Sequence, residues 1–201
     1  MRHILTHFKR VDPKLSAVIR GDSWMILKRN YDHFTGLCRI ITSQQVSTKA
    51  AAAIFERFCG LFPHKKPTAV KVLALSEQEL RSAGLSSSKI NSIRDLARHI
   101  AEKELDLKNI EKREDEEIRA SLIKVKGIGP WSAEMFLIFY LGREDIFSPG
   151  DLGLRTAIMK LYRKKKLPSP EASAKMARRW SPYRSYACRI LWESLNNNPS
   201  K

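Results

Sequence analysis

Residues 122–135, LIKVKGIGPWSAEM, set two glycines one residue apart, then a proline and a tryptophan, between two segments of helical pattern. Glycine reaches positive φ and lets the backbone lie close against another object. Pro130 suits the first turn of a helix, where its missing N–H is no loss. The N–H groups around Gly127, Gly129 and Trp131 then point outward from a helix N-terminus, a ready site for a phosphate. Lys124 and Lys126 add positive charge on the approach. The stretch is neither a Walker A loop nor a dinucleotide fingerprint, because GIG lacks the GK[ST] ending and no strand pattern precedes it. Taken alone, it is open to two readings: a phosphate grip, or a bend between two helices.

The rest of the chain bears on that choice. Lys and Arg outnumber Asp and Glu by 37 to 21 in 201 residues, a net charge of +16 with a pI near 10. An excess of that size points to a polyanion, nucleic acid before an anionic membrane; a basic face serving solubility is the bland alternative. Apolar content of 43% and mean hydropathy of −0.36 are those of a globular protein. No apolar run reaches the ~18 residues of a membrane span, and MRHILTHFKRVDPK has no signal-peptide core. Cys38, Cys59 and Cys188 are odd in number and scattered. They make neither a disulfide framework nor an iron–sulfur cluster site, and they imply a reducing, intracellular compartment. The five histidines are scattered too, which argues against zinc.

Helical periodicity dominates. Asp12-Pro13 reads as a cap and first turn, with Leu15, Val18 and Ile19 at helical spacing. Ser47 caps TKAAAAIFERFCG, which stops near Gly60 and Pro63, and a short helix covers Ser76 to Leu80. Ser86 to Ser88 offer caps for a helix whose apolar face is Ile90, Ile93, Leu96, Ala97 and Ile100. The acidic stretch 102–117 reads as a linker and exposed helix, and 116–125 as a helix leading into the glycines. WSAEMFLIFYL is apolar almost all round and reads as a buried helix. Helices near 151–163, 170–179 and 182–195 precede a polar tail, NNNPSK. The class is all-α.

LIKVKGIGPWSAEM resembles a helix-hairpin-helix motif. With DIFSPGDLGLR (145–155) it resembles the helix-hairpin-helix-GPD superfamily of DNA glycosylases. IITSQQVSTKAAAAI (40–54) and AGLSSSKINSIRDLA (83–97) look like further conserved segments of that family. RWSPYRSYACRILW (179–192) is similar to the C-terminal helix of the 3-methyladenine DNA glycosylase II group. The resemblance implies an HhH-GPD fold of two helical subdomains flanking a cleft: 1–34 with 144–201, and 35–143 containing the hairpin 118–141. Fewer than 40 residues precede IITSQQ. That is too short for the extra N-terminal domain of glycosylase II, so the chain is expected to be the catalytic core, 1–201.

The implied activity is hydrolysis of the N-glycosidic bond of alkylated purines, of 3-methyladenine and 7-methylguanine type, in duplex DNA by base flipping. Such a reaction passes through an oxocarbenium-like sugar, so a carboxylate near C1′ is required. Asp151 matches the family's catalytic aspartate, with helix N-capping as its structural alternative. Asp145 belongs to the loop. Family members with lyase activity carry a lysine where this chain has Trp131, so a monofunctional enzyme is expected. Trp131 and Trp192 match aromatic positions of the base pocket, where alkylated purines are cationic and favour electron-rich rings. Met135 stands where that group has another aromatic residue, which alters the pocket. Tyr140, Trp24 and Trp180 read as core or support. Gln45 matches the wedge that fills the gap left by a flipped base, and Gln44 holds the loop. Main-chain carbonyls of Ile123, Val125 and Ile128 match positions that hold a monovalent cation, Na+ or K+, bridging to a DNA phosphate; no other cofactor is expected. The expected partner is damaged duplex DNA, the expected state a monomer. The expected place is the nucleoid-bearing cytoplasm of a bacterium or archaeon, or a eukaryotic nucleus. A same-fold glycosylase for another damaged or mismatched base, and a non-catalytic DNA-binding module, are the competing readings; membrane-surface binding lacks a basic amphipathic anchor helix.

Overall fold

A computed structural model describes residues 2–21, 27, 29–30 and 32–196; Trp24 and the tail 197–201 lie outside the described residues. The described residues are all-helical, without a strand. Among the described residues there are twelve α-helices: α1 (Arg2–Val11), α2 (Pro13–Ala17), α3 (His33–Ser43), α4 (Thr48–Gly60), α5 (Ala69–Ala74) and α6 (Glu77–Ser82), then α7 (Ser87–Ala101), α8 (Asp115–Leu122), α9 (Pro130–Phe139), α10 (Leu152–Leu161), α11 (Pro170–Ala177) and α12 (Arg184–Asn196).

Helix starts follow side-chain capping. Asp12, Asp32, Ser47, Thr68, Ser76, Ser86, Asp151 and Ser169 each accept a hydrogen bond from a backbone N–H of the first turn. Ser76 and Glu79 form a reciprocal capping box. Two departures from the sequence reading have local causes. The apolar pattern after Pro13 does not extend α2, which ends at Ala17 with Val18 as its cap. Acidic stretch 102–117 is no exposed helix as a whole: Asp115, Glu116 and Glu117 form the first turn of α8, where carboxylates complement the N-terminal dipole.

The chain divides into two compact units, residues 1–29 with 137–201, and residues 30–136. Unit one carries 20 Lys and Arg against 7 Asp and Glu, unit two 17 against 14, so the charge excess is concentrated in the first. Unit two is built on Leu37, Ile41, Phe58, Val72, Leu80, Ile90, Ile93, Leu96, Ile118 and Leu122, all fully buried. Unit one packs Ile4, Phe8 and Leu15 of its N-terminal helices against Leu154, Ile158, Trp180, Ile190 and Leu191.

Asp12 ties that core together. It is 3% exposed. Its Oδ1 accepts from Leu15 N–H at 3.1 Å, and its Oδ2 accepts from the Trp180 indole at 2.9 Å and the Tyr162 hydroxyl at 2.5 Å. Arg179 lies 3.8 Å from the same oxygen. Burial, and then the bond to Asp12, push the Tyr162 phenol far above its ordinary pKa, so it stays a donor. The residue read as a helix cap therefore also joins three segments far apart in sequence. Asp12→Ala leaves the Trp180 and Tyr162 donors without an acceptor and is expected to lower stability by about 3 kcal/mol. Chemical denaturation checks this against Asp32→Ala, a cap on an exposed residue, which should cost about 1 kcal/mol.

Candidate active site and hairpin

The hairpin is assembled by backbone and neighbours together. After α8, Val125 N–H donates to Leu122 O at 3.1 Å and Ile128 N–H to Val125 O at 3.0 Å, before α9 begins at Pro130. Gly127 takes φ +82, and a Cβ there would lie 2.0 Å from Ser92 Oγ, so no side chain fits. Gly129 differs: its φ is not positive and a Cβ would meet nothing within 4 Å. Three side chains hold the turn. Asp95 Oδ2 accepts from Lys126 N–H at 2.7 Å, Ser92 packs beneath Gly127, and Gln44 Nε2 donates to Gly127 O at 2.8 Å and Ser132 Oγ at 2.9 Å. Lys124 and Lys126 are exposed on the turn, as is Ile123, while Val125 and Ile128 are buried.

Gln45 sits at the tip of the loop between α3 and α4. It is exposed and has φ +54, a left-handed conformation that is uncommon away from glycine and asparagine. On one side of the loop Lys89 Nζ donates to Thr42 O at 2.7 Å; burial lowers the Lys89 pKa. On the other side Ser47 caps α4. Trp131 and Met135 lie one helical turn apart on α9, the first half-buried and the second buried.

In unit one, Asp151 caps α10. Its Oδ1 accepts from Leu154 N–H at 2.6 Å and from the Trp192 indole N–H at 3.0 Å. A Cβ on Gly153 would lie 3.1 Å from Asp151 Oδ1 and 3.4 Å from the Trp192 ring, so the glycine admits the indole to the carboxylate. Phe139 stacks on Trp192 with centroids 5.6 Å apart at 28°, and the Arg189 guanidinium lies 5.8 Å from the Phe139 centroid. Asp145 takes no part in this group. Its Oδ1 and Oδ2 accept from the Arg184 guanidinium, and Oδ2 also from Ser181, which anchors the start of α12. Burial would raise the Asp145 pKa, but the bonds from Arg184 and Ser181 outweigh it and hold the carboxyl low. Tyr140 is half-buried just beyond α9, and Trp180 is fully buried.

The structure thus brings Asp151 together with Trp192, and Gln44 together with Gly127 and Ser132 of the hairpin. Sequence reading missed Gly153, Phe139, Ser92, Asp95 and Lys89. Only Gly153 had a local signal, its position two residues after Asp151; the others act across 31 residues or more.

Residues 38–182 match the HhH-GPD superfamily base excision DNA repair protein family. The chain belongs to the HhH-GPD superfamily. Among superfamily members, the DNA-3-methyladenine glycosylase of Saccharomyces cerevisiae is 31% identical over 96% of this chain and 79% of its own length. The Schizosaccharomyces pombe 3-methyladenine DNA glycosylase Mag1, solved in complex with abasic DNA, aligns with a TM-score of 0.86 at 28% identity, covering 96% of this chain and 97% of that one. A DNA-3-methyladenine glycosidase from Bacillus halodurans gives 0.78 at 31% identity over 94% and 88%. The HhH-GPD match spans the hairpin, Gln44, Gln45 and Asp151, but ends before Trp192.

The two hairpin glycines are expected to differ on substitution. Gly127→Ala strains the backbone and collides with Ser92, lowering stability by about 1–3 kcal/mol, whereas Gly129→Ala leaves stability within ~0.5 kcal/mol. Thermal and urea unfolding of the two variants measure the contrast.

Proposed function

We propose that this chain is a monofunctional DNA glycosylase of base excision repair that hydrolyses the N-glycosidic bond of alkylated purines in duplex DNA. The observation that carries the reading is the Asp151 carboxylate, held by two hydrogen bonds on Oδ1 in the FSPGD segment of an HhH-GPD chain. It is supported by relatives that are named DNA-3-methyladenine glycosylases and align over most of the chain.

The chemistry follows from the leaving group. An N3- or N7-alkylated purine is already cationic, so it departs as a neutral base when the C1′–N bond breaks. The bonding pair goes to the base and positive charge develops on the sugar. Asp151 stabilises that charge and orients the water that adds to C1′; the water's oxygen bonds to C1′ and its released proton passes by way of the carboxylate to solvent, leaving an abasic site. Trp131, Met135 and Trp192 are assigned to contacts with the flipped base, and methionine stacks more weakly than the aromatic ring it replaces. Trp192 has one face on Phe139 and its N–H on Asp151. Trp131 cannot form a Schiff base, so no β-elimination step is available at that position.

Gln45 is assigned to fill the space left in the stack; its strained, exposed backbone is what a residue held for insertion would have. The hairpin N–H groups, with Lys124 and Lys126, take a DNA phosphate, and Gly129 leaves room for it. The carbonyls of Ile123, Val125 and Ile128 suit a hard monovalent cation: Val125 O accepts one bond from Ile128 N–H, and a carbonyl oxygen has a second lone pair. Bound there, the ion would neutralise phosphate charge. The reading places the protein as a monomer on genomic DNA. Among the described residues no helix is long and apolar enough to cross a membrane.

Base release from methylated duplex DNA, with products identified chromatographically, tests the proposal. The unaltered protein is expected to free 3-methyladenine and 7-methylguanine, and Asp151→Asn to slow release at least 100-fold. Equal release by both would remove Asp151 from the chemistry. The product strand should stay intact until base or heat is added, and borohydride should trap no protein–DNA adduct; a trapped adduct would overturn the monofunctional assignment.

A further inference from the structure

Three residues of α7, Lys89, Ser92 and Asp95, recur every third position and so share one face of the helix. Lys89 Nζ donates to Thr42 O, in the last turn of α3. Ser92 packs beneath Gly127, and Asp95 accepts from Lys126 N–H. One helix face therefore holds both the approach to the Gln45 loop and the hairpin turn. Gln44 joins those two clients directly. Its carboxamide nitrogen has two hydrogens, and the two bonds, to Gly127 O and Ser132 Oγ, use both. The acceptors lie 83 and 88 residues away, one on the turn and one in the first turn of α9. Gln44 N–H meanwhile donates to Ile41 O, its backbone is extended, and the next residue is Gln45 at φ +54. A strained conformation persists when its surroundings over-determine it, and here the amide of the preceding residue supplies that constraint.

We propose that Gln44 is a positioning residue that makes the loop carrying Gln45 and the phosphate-gripping hairpin one mechanical element. DNA bound at the hairpin then sets the height and angle at which Gln45 enters the duplex. This rests on the glycosylase reading above. Without the Gln44 bonds the hairpin still grips the backbone, but the grip no longer fixes the wedge, so the loss falls on opening the base stack. Ser132, buried at the start of α9, is the second anchor.

Gln44→Glu keeps the size of the side chain and removes both donors; Gln44→Met does so without adding charge. Single-turnover base release is measured on one alkylated lesion in two contexts, a fully paired duplex and a one-nucleotide bulge where unpairing is already paid. Both variants are expected to slow release from the paired duplex by roughly tenfold or more. From the bulge the slowing should be no more than about threefold. Ser132→Ala should give an intermediate loss on the paired duplex. A purely structural tie slows both substrates alike, and that outcome overturns the proposal, as does undiminished release from the paired duplex. A second readout needs no catalysis: 2-aminopurine opposite a tetrahydrofuran abasic site brightens when its stack is opened. The unaltered protein should raise that fluorescence and Gln44→Glu should not; equal brightening by both contradicts the coupling. If the unaltered protein frees no base from either substrate, the glycosylase reading fails, and the fluorescence still decides the coupling.

Discussion

One carboxylate oxygen, Asp151 Oδ1, accepts hydrogen bonds from Leu154 N–H and from the Trp192 indole, and the arrangement of unit one around it depends on those two bonds. The first starts α10 by satisfying a backbone donor that the helix cannot satisfy itself. The second ties the same oxygen to α12 through the Trp192 indole. A Cβ at residue 153 would crowd both groups, 3.1 Å from the carboxylate oxygen and 3.4 Å from the indole, so the glycine gives them room. On the proposed reading, capping and catalysis are not rival explanations of Asp151: the cap would hold a charged group where a developing cation could use it, with little rearrangement as the charge appears.

Unit two solves a different problem, holding a short turn and an exposed loop in strained or crowded conformations. Gly127 has positive φ and no space for a Cβ, and Gln45 has positive φ without being glycine. The Gly127 turn is held from outside its own segment, by Ser92 and Asp95 of α7 and by the Gln44 amide, and Lys89 of α7 bonds Thr42 O just before Gln45. The division of charge fits a nucleic-acid partner, since the unit that carries Asp151 also carries most of the excess cations.

Much of this was legible in the sequence, and the limits have a physical pattern. Asp12-Pro13, Ser47, Ser76 and Ser86 announce helix starts because capping is a contact between neighbours three residues apart. The hairpin was legible because positive φ and a proline-led helix leave a compositional mark. α1 was overlooked although Ile4, Phe8 and Val11 are at helical spacing; ten residues with two histidines and no cap gave a weak signal. What stayed hidden is long-range partnership. Nothing near Asp12 signals Trp180, nothing near Trp192 signals that its N–H is given to Asp151, and Gln44 finds its acceptors only after the chain has folded. A side chain's residue type tells what it can donate or accept, and tertiary structure decides to whom.

We propose that Asp151 stabilises positive charge on the sugar. The most direct measurement compares binding of two duplexes, one with a cationic pyrrolidine ring in place of the target sugar and one with neutral tetrahydrofuran. The unaltered protein is expected to prefer the cationic ring by about tenfold or more, and Asp151→Asn to lose most of that preference while binding the neutral duplex normally. An equal preference in both proteins would contradict the claim.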